Sequence, residues 1–232
     1  MTAVPLADGV WRIPTAPADT VNSLLLADDD GSLVLVDAGL RGAHRAVLRA
    51  IADVGKQPGD VQRILLTHGH SDHAGGLART QRATGAQVLA HEDEAQYVRE
   101  GTPPPAGTTT GRLLARLPGT GFARTDVDGT FADGAVLPVA GGLQVVHTPG
   151  HSPGHCSFLH LRSGVLLTGD AVFNVRGLRY SPKTFCTDVP LSRETASRLG
   201  ELSFDVVAFT HGAHIATGAQ AALRAFLAGR PS

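Results

Sequence analysis

Apolar residues fall into short runs, each ending on a polar or glycine-bearing stretch. Residues 32–36 (SLVLV) read as a buried strand that stops at Asp37, residues 63–67 (RILLT) as a second strand and residues 87–90 (QVLA) as a third. Between the first two, Val47, Leu48, Ile51 and Val54 recur at helical spacing over residues 43–54, and Gly55 follows as a stop. Residues 77–84 form the next predicted helix, closed by Gly85. This alternation predicts helices packed on a sheet, an α/β fold.

The second half is patterned differently. Residues 102–107 (TPPPAG) cannot be helical, because consecutive prolines lack amide donors and hold the preceding residue extended. Over residues 124–168, short strand-like runs are punctuated by Asp-Gly, Gly-Gly and Pro-Gly, which predicts an antiparallel meander. A strand over 205–210 and an amphipathic helix over 216–228 close the pattern. A core of this extent fits one domain over residues 1–232.

Composition removes several function classes. Twenty basic against 21 acidic residues give a formal net charge of -1, so no global field favours nucleic acid or an anionic membrane. The first residues, MTAVPLADGVWRIPTAP, carry no basic segment followed by a continuous apolar core, and no apolar run approaches the roughly 20 residues of a membrane span. A cytoplasmic protein, monomeric or homodimeric, acting on a small molecule is the expectation. Cys156 and Cys186 cannot build a disulfide framework and are expected to be reduced.

The chemistry concentrates in THGHSDHAGG, residues 67–76. His68 and His70 lie two apart just past a strand, where extended backbone points both imidazoles to one side. Asp72 and His73 follow as the chain turns. Imidazole nitrogen and carboxylate oxygen suit Zn²⁺, and also Mn²⁺, Fe or Co. Four donors within six residues wrap one ion with difficulty, and sharing them between two adjacent ions relieves that strain. His151, Asp170 and His211 supply three further candidates, each following an apolar run beside Gly, Thr or Pro, where loops carry function above a rigid scaffold. Histidines 147, 151 and 155 recur every fourth residue, but Pro149 and Pro153 exclude a regular helix there.

Together, Asp37, the His68-x-His70-x-Asp72-His73 run, His151, Asp170 and His211 resemble, in their order, the five motifs of the metallo-β-lactamase-fold hydrolases. The resemblance covers residues 22–215. It implies a four-layer αβ/βα sandwich of two mixed β-sheets flanked by helices, with the site at one edge. It also implies two divalent metal ions, zinc first, with manganese or iron as alternatives. By that resemblance His68, His70 and His151 hold one metal, Asp72, His73 and His211 hold the second, and Asp170 bridges. Asp37 orients a ligand imidazole, and Asp72 handles the proton of a metal-bridging hydroxide that attacks a small ester, lactone or thioester. Two alternatives use the same fold: a mononuclear iron sulfur (persulfide) dioxygenase and a non-catalytic metal- or ligand-binding module.

Departures from the family narrow the substrate. Asp170 stands where some β-lactamases have a cysteine ligand, and Phe173 stands where homoserine-lactone lactonases often have tyrosine. Only 21 residues follow His211, so the helical C-terminal domain of glyoxalase II enzymes is not expected. Residues 171–190 read as a substrate loop carrying Phe173, Arg176, Arg179, Tyr180, Lys183 and Phe185, with Phe173, Arg176, Arg179, Tyr180 and Lys183 as candidate substrate contacts, and Tyr180 as a stand-in for the missing tyrosine. The proline-rich stretch is expected to cover the opposite side of the cleft.

Overall fold

The computed structural model describes residues 3–117 and 119–229. Seven strands form the first sheet in sequence order: β1 (Val4–Ala7), β2 (Val10–Pro14), β3 (Asn22–Ala27), β4 (Leu33–Val36), β5 (Val61–Leu65), β6 (Gln87–His91) and β7 (Gly129–Phe131). Pairing is antiparallel from β1 to β4 and parallel from β4 to β7. The second sheet contains β8 (Val136–Leu137), β9 (Leu143–His147), β10 (Cys156–His160), β11 (Val165–Leu167) and β14 (Val206–Ala208), in the order β14-β11-β10-β9-β8. Only its β11–β14 pair is parallel. A small hairpin, β12 (Val172–Asn174) with β13 (Leu178–Tyr180), stands apart from both sheets.

Strand periodicity creates the layers. Leu33 and Leu35 of β4 point to one face, against Val47 and Ile51 of helix α1 (His44–Asp53), with Leu77 of α3 (Leu77–Thr84) in the same cluster; the four-residue α2 (Ser71–Ala74) lies between them in sequence. Val34 and Val36 point the other way and join Val145, Phe158 and Leu167 of the second sheet. The outer face of that second sheet, with Leu159, Leu166 and Val207, packs on Ala196 and Leu223 of the late helices. The result is the four-layer sandwich with two mixed sheets. Both faces of β4 and β11 are covered, which explains their continuous apolar sequences.

Several expectations change. Residues 129–131 lie in the predicted antiparallel meander but form β7 on the first sheet, parallel to β6, with Phe131 buried edge-on against Phe158 at 5.7 Å. The last helix begins at Ala219, not 216, because Gly218 takes a left-handed conformation (φ 66°) at its N-terminus. The stretch 171–190 is largely ordered: it holds the β12–β13 hairpin and ends in a helix (Val189–Ala196) capped by Asp188. Between β6 and β7 lie α4 (Ala95–Glu100) and α5 (Thr109–Leu114), followed late in the chain by α6 (Val189–Ala196) and α7 (Ala219–Ala228). Among the described residues no helix is long and apolar enough to cross a membrane.

Candidate metal centre

The candidate residues meet at one edge, in the loops that follow β4, β5, β9, β11 and β14. Asp37 follows β4 directly with φ at 61°, held by its amide on Leu65 O (2.9 Å), and the next amide, of Ala38, reaches His73 O (2.8 Å). Strained backbone of this kind persists where surrounding structure fixes it. The Asp37 carboxylate accepts from the Thr67 amide and hydroxyl, both at 2.8 Å, and from His73 Nδ1 at 2.8 Å.

Two groups of donors converge. In the first, His68 Nε2, His70 Nδ1 and His151 Nε2 stand 2.9–3.0 Å from one another. In the second, His211 Nε2 lies 3.4 Å from Asp72 Oδ2, and His73 Nε2 lies 4.0 Å from Asp72 Oδ1. Asp170 sits between the groups. Its Oδ1 is 3.1 Å from His73 Nε2 and 3.3 Å from His211 Nε2, while its Oδ2 is 3.3 Å from His151 Nε2.

The outer nitrogens explain why the inner ones can accept a cation. His73 Nδ1 faces Asp37, His68 Nδ1 faces the Thr67 hydroxyl (3.1 Å), His151 Nδ1 faces the Ser181 hydroxyl (2.8 Å) and His211 Nδ1 faces Thr20 O (2.6 Å). Assigning the proton to each outer nitrogen leaves four Nε2 lone pairs directed inward, the tautomer a metal ligand requires. His73 Nε2 and Asp170 Oδ1 are buried and have no hydrogen-bond partner among the described residues. Buried polar atoms of this kind call for a partner, and a divalent cation satisfies both. The donor set therefore fits the metal ions that the fold implies.

Electrostatics agree. Burial drives His68 and His151 well below the usual imidazole range, so both are neutral and able to donate a lone pair. Burial acts upward on Asp170, but His211, His73 and His151 hold it well below the usual carboxylate range. Burial likewise acts upward on Asp72, yet His73 and His211 bring it down to about 2. Burial acts downward on His211 and His73, but the facing carboxylates raise His211 to about 10 and His73 well above the usual imidazole range, so these two inner nitrogens favour a positive charge, a proton or the cation that replaces it. Asp72 keeps 33% side-chain exposure and faces the cleft, whereas Asp170 is buried.

Four positioning groups were not legible as such. Glu94 is fully buried and accepts from the Gly69 amide (2.7 Å), the Ser152 hydroxyl (2.8 Å) and the Gly154 amide (2.8 Å), so it joins the two loops that carry His68, His70 and His151. Burial raises its pKa to about 7. His155, neutral because burial lowers it to about 3, accepts the Asp170 amide at 2.8 Å. Ser181 and Thr20 orient His151 and His211 as given above. The Glu94 signal in the sequence is only an acid after a strand, and nothing local distinguishes it from Glu92 or Asp93.

A cleft of about 360 Å³ opens over the site, lined in part by His70, Asp72, His151, Asp170, Phe173 and His211. The proline-rich stretch contributes Pro103, Pro104 and Ala106 to the lining, but hydrogen bonds from the Gly107 amide to Cys186 O and from the Thr187 hydroxyl to Pro105 O, both 2.8 Å, place it beside the end of the 171–190 segment, not opposite it. The substrate-loop expectation needs correction. Phe173 and Phe185 reach the cleft, with Pro182 and Thr184 of the same segment, but Arg179, Tyr180 and Lys183 line a different groove with Arg193 and Phe226. Tyr180 is drawn there by the Phe226 ring (4.8 Å) and the Arg193 guanidinium (5.5 Å). Arg176, in the β12–β13 turn at φ 56°, lines neither. Cys156 and Cys186 are buried and unpaired.

Fold and site together define a metallo-hydrolase class, and comparison with known proteins agrees. The family model described as the metallo-beta-lactamase superfamily matches residues 16–211, and the chain belongs to that superfamily. It is similar to the probable metallo-hydrolase YybB of Bacillus subtilis, 29% identical over 84% of this chain and 82% of that protein. It is also similar to the hydroxyacylglutathione hydrolase GloC of Haemophilus influenzae, 27% identical over 66% of each. Among solved structures, the metallo-β-lactamase MIM-1 of Novosphingobium pentaromativorans superposes with a TM-score of 0.76 at 26% identity, covering 97% of this chain and 85% of that one.

Proposed function

We propose that the protein is a dinuclear metal-dependent hydrolase of small esters, lactones or thioesters. The observation that carries this reading is the placement of Asp170, with one oxygen toward His73 and His211 and the other toward His151. In this reading His68, His70 and His151 hold one cation, Asp72, His73 and His211 hold the other, and Asp170 is shared. Zinc suits this nitrogen and oxygen set, with manganese or iron as alternatives. Asp37 fixes His73 directly and His68 through Thr67.

When bound, such cations supply a nucleophilic water near neutral pH and polarise the acyl oxygen. The chain's own residues do the rest. Asp72, ionised and turned toward the cleft, accepts the proton of the attacking water and returns it to the leaving group. A substrate seated against the apolar walls displaces water from the cleft, which strengthens the charge interactions inside. No side-chain nucleophile is needed. The names of the relatives, a probable metallo-hydrolase and a hydroxyacylglutathione hydrolase, support hydrolysis as the reaction type.

Metal analysis combined with an activity panel tests the reading. Two zinc or manganese ions per chain with turnover of an ester, lactone or thioester support it. A single iron with oxygen uptake instead establishes the dioxygenase alternative.

A further inference from the structure

We propose that the cleft selects a substrate whose acyl and leaving-group parts are both uncharged and apolar, so that neutral aliphatic esters or lactones are preferred over glutathione thioesters. The inference rests on the hydrolase reading and specifies what flanks the scissile bond.

Beyond the metal-site residues the cleft is walled mainly by apolar side chains, among them Leu40, Pro103, Leu114, Phe173 and Phe185, and its other polar side chains, Ser71, Thr120 and Thr184, are uncharged hydroxyls. Leu40, Leu114 and Phe185 keep 42%, 37% and 50% exposure. Large apolar side chains left uncovered around one concavity mark a binding surface. Among the described residues no lysine or arginine lines the cleft, and its fixed carboxylates are Asp72 and Asp170. A glutathione thioester carries two carboxylates, and a carboxylate leaving water needs a cation or several donors in return.

The cations around the cleft are engaged or placed elsewhere, and Arg112 on α5 donates to Gly107 O at 3.0 Å. Arg41, Arg79 and Arg82 are exposed and line a groove that shares only Leu40 and Ser71 with the cleft. Arg179 and Lys183 line the groove beside Phe226.

The wall is built before substrate arrives. The Gly107 amide donates to Cys186 O (2.8 Å), and the Thr187 hydroxyl donates to Pro105 O (2.8 Å), which joins the proline-rich stretch to the segment before α6. A Cβ on Gly107 would stand 2.0 Å from Thr187 O, and one on Gly111 would stand 2.1 Å from Thr184 O. Both glycines are required for this close approach. The apolar surface is therefore held by backbone contacts, and an acyl chain meets it without paying for loop ordering.

Zinc-loaded protein assayed with p-nitrophenyl acetate, butyrate, hexanoate and octanoate, the monoester of adipate and a 2-hydroxyacyl glutathione thioester tests this. Expected is a kcat/KM that rises by about fourfold per methylene until the cleft is filled, with the adipate monoester at least about tenfold below hexanoate, where that methylene gain is replaced by an unpaired carboxylate. Phe185→Asp removes most of the octanoate preference, and Phe185→Leu retains it. Hydrolysis that ignores chain length overturns the inference while leaving the hydrolase reading intact. Preference for the glutathione thioester, lost on Arg41→Ala, does the same and transfers specificity to the arginine groove. Failure to hydrolyse any probe at full metal content rejects the hydrolase reading and this inference with it.

Discussion

Glu94 accepts the amide of Gly69, the residue between His68 and His70, at 2.7 Å. Its second oxygen takes the Ser152 hydroxyl and the Gly154 amide, both at 2.8 Å, in the loop that carries His151. One carboxylate thus sets the distance between two loops more than 80 residues apart in sequence, which supply the first donor group. Gly154 has no room for a side chain there, since a Cβ would lie 2.6 Å from the Glu94 amide nitrogen.

Replacing Glu94 by Ala leaves two amides and a hydroxyl without their partner. Each buried donor so stranded costs about 1–3 kcal/mol, with water entering the space recovering part, so a net loss of about 3 kcal/mol is expected in denaturant unfolding. Metal affinity should fall by about 10–100-fold, the usual effect of removing a group that orients ligands. Glu94→Gln, which keeps one accepting oxygen, should recover part of both. Unchanged metal affinity in Glu94→Ala would mean that the residue serves packing alone.

Asp72→Asn separates ligation from proton transfer. The amide oxygen can still coordinate, but the group no longer accepts a proton, so kcat should fall by about 10²–10⁴-fold while metal content per chain stays near that of the parent. Metal analysis and steady-state kinetics on the same sample check this. Turnover that survives in metal-replete Asp72→Asn removes the proposed proton acceptor.

Metal removal should destabilise the fold through linkage. Each cation held at about 100 times its dissociation constant contributes about 2.7 kcal/mol to the native state, provided the unfolded chain does not bind it. Chelation should therefore lower Tm, and titrating zinc back should restore it with saturation at two equivalents. Saturation at one equivalent would contradict a dinuclear centre.

Asp133 provides a pH test away from the metal ligands. Burial acts upward on it, but hydrogen bonds from the His147 amide (2.9 Å) and Arg198 (2.8 Å), with the Arg198 charge, bring its carboxyl below the ordinary value. A depressed carboxyl contributes stability that is complete above the unfolded pKa of about 3.9 and is lost as pH falls through the folded value. In chelated protein, the parent should exceed Asp133→Asn in Tm by a constant margin from pH 5 to 7. That margin should shrink below about pH 4. A margin that does not change with pH would assign the effect to shape, not charge.

The local pattern determined a good deal. Apolar runs of four or five residues marked β4, β5 and β6, and helical spacing with a glycine stop marked α1 and α3, because these signals depend on neighbours along the chain. The THGHSDH run and its three distant companions likewise announced the donor types, since metal chemistry constrains which side chains can appear. What the sequence left open was decided by contacts between distant segments. The parallel pairing of β7 with β6 depends on a sheet edge being free, and Phe131 needs the other sheet to bury it. Glu94, Ser181 and the Thr20 carbonyl acquire their roles only when the loops they hold are brought beside them. The same holds for the cleft. Basic and aromatic residues of the 171–190 segment look equivalent in sequence, but the β12–β13 hairpin sends Phe173 to the metal site and packing on α7 draws Tyr180 away, with Arg179 and Lys183 beside it. Sequence spacing constrains chemistry one segment at a time, whereas the direction a side chain faces is set by what packs against its backbone.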